Sequence, residues 1–371
     1  MTDQLIFEVA LGFVPGIGNQ LTRLLISYCG SAKQIWNTPP GKLAKIPGIG
    51  QAVLNSLQQN KAALVQAESI VAQAEKDKVQ LLFYTHPDYP NRLKQIADAP
   101  TLLYYKGTAS LNHSKIISMV GTRQCTNYGK EVTEQIIKDL VKHEALILSG
   151  LAYGIDIAAH RAAVQQNLPT IGVMANGLDI IYPAVHRKVT EKMLENGGLL
   201  SENTFGTKPD AHFFPARNRI IAGMADATII VEAAIKGGTL ITADIANSYN
   251  KDVLAVPGPI NSLVSEGCNY LIRSHKANIY TGIKDLEELL NWDLQNLNSG
   301  SRKSKMAKYA AADFTEDEFK IIQVLQETKE EIIDNISWKA QIPISKIASL
   351  LLTLEFKGIV KVLPGKKYQL I

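Results

Sequence analysis

The sequence predicts an α/β protein: an extended Rossmann-like, doubly wound, mostly parallel sheet between an N-terminal helical domain and a C-terminal winged-helix domain. Three observations carry this. Between residues 79 and 292, short runs rich in Val, Ile and Leu alternate with helical patterns. Such runs read as strands buried on both faces of a parallel sheet. Ahead of them a short segment occurs twice. Behind them a polar, basic stretch precedes a further set of helices and a hairpin.

The repeated segment is "VPGIGNQLTRLL" (14–25) and "IPGIGQAVLNSL" (46–57). Each has a Gly-Ile-Gly turn followed by a helical apolar pattern. Two glycines permit a tight reversal and the isoleucine anchors it. This is the pattern of paired helix-hairpin-helix, SAM-like motifs, and places a helical domain at 1–78. The turn amides can meet phosphate. Yet Asn19, Gln20, Gln51 and Ala52 stand where DNA-contacting hairpins carry Lys or Arg, so a packing role stays open beside a binding one. A helix over 61–78 leads out.

The strands expected between 79 and 292 are "VQLLFY", "KIISMVG", "ALILSG", "TIGVM", "GLLSE", "ATIIVEA" and "DVLAVPG". The stretch 293–312, with Arg302, Lys303, Lys305 and Lys308 among Ser, Asn, Gly and Ala, reads as a flexible basic linker. At 313–371, Thr315 and Glu318 form a capping-box pattern. Helices are expected over 331–340 and 345–356, then a hairpin turning at Pro364-Gly365: a winged helix. Its would-be recognition helix, "SKIASLLLTLEF", carries little basic charge, which favours packing or partner binding over duplex reading.

Composition narrows the function classes. The 371 residues are 46% hydrophobic and 20% charged, with net charge +4. That mild basic balance permits nucleic acid without demanding it. Cys29, Cys125 and Cys268 lie too far apart in sequence for zinc spacing or a disulfide framework, which points to a reducing compartment. The first residues lack a signal-peptide pattern, and no apolar run reaches a membrane span of ~20 residues. The expectation is a cytoplasmic protein without membrane partners.

Each central strand runs into a loop of glycines and polar residues, and in a doubly wound sheet such loops converge at the carboxyl ends of the strands. Arg123, Lys208, Arg217, Arg219 and Lys236 bring positive charge there; Tyr128, Tyr153, Phe213 and Phe214 bring π-faces. The composite suits phosphates with bases stacked beside them, hence a nucleotide or single strand. No G-x-G-x-x-G and no P-loop follows these strands, so no NAD, FAD or ATP cofactor is expected. Nor is a metal: Asp179, Glu202, Glu232 and Asp244 near strand ends are expected to bind local amides.

In order and spacing, "GTRQCTNYG", "SGLAYGIDIAAH", "GLDIIYP", "FPARNRIIAG", "VEAAIKGGTLITA", "AVPGPI" and "SEGCNYLI", with "HPDYPNRLKQIADAPTLLYYKG" ahead of them, resemble the DNA-processing protein A (DprA/Smf) family. The resemblance is strong over about 79–290. It implies an extended Rossmann domain that pairs into a homodimer, binds and shields single-stranded DNA in natural transformation, and helps load the RecA recombinase. Phosphate-binding positions carried over by motif are Gly121 and Arg123; Ser149, Gly150 and Gly154; Arg217, Asn218 and Arg219; and Gly237, Gly238 and Thr239. Ala175 and His275 stand where that family often has glycine, and Thr126 replaces a common serine.

The expected reading is therefore a non-enzymatic, sequence-independent single-strand binder. A nucleotide-processing Rossmann enzyme of N-glycosidic hydrolase type is one alternative, since "KGGTLITA" is reminiscent of its loop; a winged-helix duplex-DNA regulator is another. Arg217 and Arg219 are two apart on one helix and cannot share a face, so one of them is expected to hold loop carbonyls or an acid such as Glu232. One of Phe213 and Phe214 is expected in the core. Asp156 and His160, four apart, suit either acid–base chemistry or loop bracing.

Overall fold

The apolar runs become strands β1 (Gln80–Phe83), β2 (Leu102–Gly107), β3 (Ile116–Val120), β4 (Leu146–Ser149), β5 (Thr170–Met174), β6 (Gly198–Ser201), β7 (Ala227–Ile230), β8 (Asp252–Ala255) and β9 (Asn278–Ile279). Every residue of β3 through β7 is buried, which is why these strands lack the alternation of half-exposed ones. In β3, Ile116 and Val120 pack on one face and Ile117 and Met119 on the other. Each such side chain, fully buried, contributes about 1.5–3 kcal/mol.

The computed structural model describes residues 3–59, 61–292, 314–328, 330–363 and 367–370. The chain divides into two compact units, Met1–Trp292 and Asp293–Ile371. The linker expected at 293–312 and the Pro364-Gly365 turn lie outside the described residues.

In the first unit the sheet order is β1-β2-β6-β5-β4-β3-β7-β8-β9. From β6 to β9 neighbouring strands run parallel; β2 pairs antiparallel with both β1 and β6. From β3 the chain winds outward through β4, β5 and β6, then returns to place β7 on the other side of β3. The winding thus reverses between β3 and β7. Helices Asn127–Leu140 and Ile155–Gln165 cover one face; Phe213–Met224, Gly238–Ser248 and Glu266–Arg273 cover the other.

Strands β2 and β9 were not among the runs read from the sequence. The first carries Tyr-Tyr-Lys-Gly rather than an aliphatic run, and the second is two exposed residues.

Both Gly-Ile-Gly turns form. Gly16 and Gly48 take φ of 83° and 82°, a left-handed region that costs other residues roughly 1–2 kcal/mol. Ile17 and Ile49 are buried beneath the turns. Helices Asn19–Cys29 and Gln51–Gln59 follow them. These N-terminal helices share one core with Phe83 and Tyr104 of the sheet. The helix out of this region runs Lys61–Lys76, short of 78; Lys78 takes a φ of 55° and ends it.

The second unit has helices Glu316–Thr328, Ile333–Ala340 and Ile344–Phe356. Strands β10 (Glu330–Ile332), β11 (Val360–Leu363) and β12 (Lys367–Leu370) form an antiparallel sheet in the order β10-β12-β11. The capping box is reciprocal: Thr315 N donates to Glu318 Oε2 at 2.9 Å, and Glu318 N to Thr315 Oγ1 at 3.3 Å.

Candidate functional site

A strand that ends at a winding reversal leaves a crevice, because the loops on either side of it leave in opposite directions. Here the crevice is a cleft of about 440 Å³ beyond the ends of β3 and β7. Gly121 and Arg123 enter from β3, Lys236 to Thr239 from the loop after β7, and Phe214, Arg217 and Asn218 from the first turns of helix Phe213–Met224. Arg123 and Lys236 are exposed, and neither makes an ion pair among the described residues. The Arg123 guanidinium lies 5.2 Å from the centre of the Phe214 ring, within cation–π range.

The helix N-termini at this rim differ. Helix Asn127–Leu140 is capped by Thr126 Oγ1, which accepts from Gly129 N. Thr126 in turn donates from N and Oγ1 to the buried Glu232 carboxylate at 2.9 and 2.6 Å. Helix Phe213–Met224 has no side-chain cap, and Asp210 Oδ1 accepts from His212 N just ahead of it. Helix Gly238–Ser248 has no side-chain cap, so its first amides remain donors toward the cleft.

Arg217 forms the floor. It is buried, its Nη1 donates to Val173 O, and its Nε donates to Asn218 Oδ1 at 3.1 Å. Beside it lies buried Asp156, which accepts from Ala152 N at 3.3 Å. Burial pushes the Asp156 carboxyl up, against the pull of Arg217. Burial likewise lowers Arg217, but a guanidinium stays charged.

His160, one turn on, is fully buried. Its Nε2 lies 2.6 Å from Gly150 O and its Nδ1 2.7 Å from Thr170 Oγ1. Burial lowers its pKa to about 4, so the ring is neutral near pH 7. A carbonyl only accepts, so the single proton is on Nε2. Asp156 and His160 brace the loop after β4.

The remaining sequence-predicted residues divide. Ser149 is buried and donates to Met119 O at 2.5 Å. Gly150 and Gly154 lie beneath the cleft lining, packed against Asp156 with Arg217 and against Thr122 O respectively. Arg219 points away: it donates to Asp98 O and pairs with Glu202, whose carboxyl burial pushes up against that pairing. The acid that an arginine holds is thus Glu202, while Glu232 serves Thr126. Phe213 is half-buried and lines a separate groove beside Gly18 and Tyr104. Lys208 is exposed on the loop after β6, outside the cleft lining.

Sequence reasoning placed Tyr153 at the rim but missed Asn176 and Tyr182, which with it line a smaller cavity of about 90 Å³ that shares Arg123, Ala152, Phe214 and Arg217 with the cleft. The signal for Tyr182 was faint: a tyrosine eight residues beyond the end of β5. No group of three or more His, Cys, Asp or Glu suited to a metal ion occurs among the described residues, and no described helix is long and apolar enough to cross a membrane.

Fold and site together define a doubly wound α/β protein with a cationic, glycine-lined cleft at its winding reversal. The family model for DNA recombination-mediator protein A matches residues 80–291. Protein Smf of Synechocystis is 31% identical over 98% of this chain and 98% of its own length. The chain belongs to the DNA recombination-mediator protein A family.

The crystal structure of DNA processing protein A from Streptococcus pneumoniae superposes with a TM-score of 0.66 at 33% identity, covering 76% of this chain and 96% of that one. The Helicobacter pylori protein, described for its single-stranded-DNA binding mode, gives 0.53 at 30% identity over 59% and 97%.

Proposed function

We propose that this chain binds single-stranded DNA without sequence preference and without turnover, and that it shields the strand and passes it to the RecA recombinase as a homodimer through its sheet domain. One observation carries the binding reading: the cleft joins two cations without ion pairs, an uncapped helix N-terminus and an aromatic face. That set suits a phosphodiester with a base beside it. The inward placement of Asp156 and His160 supports binding rather than acid–base chemistry. Family membership and the H. pylori neighbour support the recombination role. The second unit, three helices with a small antiparallel sheet, is read as a winged helix.

Fluorescence anisotropy across a salt series tests the binding. Log affinity for single strands should fall with log salt at about −0.7 per neutralised phosphate, and Arg123→Ala should flatten that slope by about 0.7. Duplexes of equal length should bind more weakly, since paired bases cannot stack on Phe214. Tighter duplex binding, or a folded Arg123→Ala protein equal to wild type, would sink the site. Release of base or phosphate from nucleotides would overturn the non-enzymatic reading.

A further inference from the structure

Several cations of the first unit are already neutralised: Arg92 lies 2.8 Å from Asp226 and Lys276 2.9 Å from Asp244. Three exposed ones beside the smaller cavity are not. The side chains of Arg161, Arg187 and Lys188 make no ion pair and no hydrogen bond among the described residues. Arg161 is on helix Ile155–Gln165; Arg187 and Lys188 open helix Arg187–Met193, which packs against it.

Buried His186 joins this group to the cavity. Its Nδ1 donates to Leu151 O at 2.9 Å, Arg161 acts on it electrostatically, and its ring meets Tyr153 edge-on at 5.1 Å. Tyr153 and Tyr182 are 52% and 48% exposed. Neither hydroxyl has a hydrogen-bond partner among the described residues. Both rings line the cavity that holds Arg123 and Phe214. From the cleft outward the surface therefore presents Phe214, two open tyrosine faces, then three unpaired cations. Aromatics alternating with free cations suit a polyanion whose bases are unpaired.

We infer that the bound single strand continues out of the cleft across Tyr153 and Tyr182 and lays its next phosphates on Arg161, Arg187 and Lys188. This rests on the single-strand reading above and lengthens its site. The site fixes not only that a strand is held but the side by which it leaves: over the loops after β4 and β5.

The test uses the full chain and oligothymidylates of about 5 and about 20 nucleotides, spanning the usual site sizes. In the double variant Arg187→Ala/Lys188→Ala the short oligonucleotide should bind as to wild type. The long one should lose roughly tenfold near 0.15 M salt, with the salt slope flattened by about 1.4, two phosphates' worth. Lys276→Ala, already paired with Asp244, should change neither. Wild-type protein that binds neither length would refute the parent reading. Wild-type binding with a double variant equal to it at both lengths would refute the track alone and leave the patch to an acidic protein surface. Equal weakening at both lengths would return these cations to the cleft and also overturn the track.

Discussion

The two sides of the cleft use glycine for opposite reasons. On the side of β3 and β4, a Cβ on Gly121 would lie 2.4 Å from Ile155 Cγ1, and one on Gly150 2.4 Å from Asp156 Oδ2. Gly154 combines a φ of 79° with a Cβ position 2.1 Å from Thr122 O. On the side of β7, Gly237 and Gly238 have nothing within 4 Å of a Cβ and no left-handed φ. The chain needs glycine at the first three to close upon itself. It does not need the last two for packing, so their bareness faces outward. The same letter in the sequence marks scaffold on one wall and access on the other.

The sharpest way to break this contrast is Gly154→Ala. Overpacking and the left-handed backbone together should cost about 2–5 kcal/mol, read from denaturant melts; near-wild-type stability would remove the scaffold half of the comparison.

The scaffold wall should also respond to pH through His160. The unfolded imidazole takes a proton near 6.5, whereas the folded one holds it only below about 4. Stability is therefore complete above pH 6.5 and falls as pH drops toward 4, by up to about 3 kcal/mol. A His160→Gln protein should lose most of that slope in melts from pH 7 to 4; an unchanged slope would assign it to other groups.

On the access wall, Gly238→Ala should leave stability unchanged or raise it by roughly 0.4–1 kcal/mol. It should weaken single-strand binding at least about tenfold, the scale of one lost charge-assisted hydrogen bond. A folded variant with wild-type affinity would show that no backbone approaches there.

The smallest effect sharpens the rule from outside the cleft. His275 ends its helix with a φ of 57°, a backbone conformation that favours glycine. His275→Gly should stabilise by about 0.5–1 kcal/mol in the same melts.

The sequence announced the central sheet because strands buried on both faces must be continuous apolar runs, as in "TIGVM" and "ATIIVEA". It did not announce β2, whose Tyr104 and Tyr105 are buried at a mixed, antiparallel edge. The site was legible as a set of loops, since glycine and charge at strand ends converge by topology. Which members face the cleft was not. Helical period separates Arg217 from Arg219, yet only the position of Val173 O beside one and Glu202 beside the other decides which enters. Ser149 sits in a strand end whose alternation points it inward, a parity that its Ser-Gly motif does not reveal.

The second unit carries a quieter consequence. Lys320, Lys339, Lys346, Lys357 and Lys367 each pair with an acid of the same unit: Glu316, Glu331, Asp317, Glu318 and Glu330. Opposite charges held this close cancel at long range, and what remains is screened within about 8 Å at physiological salt. These five pairs therefore add little long-range pull on a polyanion. Exposed Leu352 and Phe356 stand on the last helix of the same unit and offer contact by shape and apolar area rather than by charge. Contacts made through those two side chains would be indifferent to ionic strength.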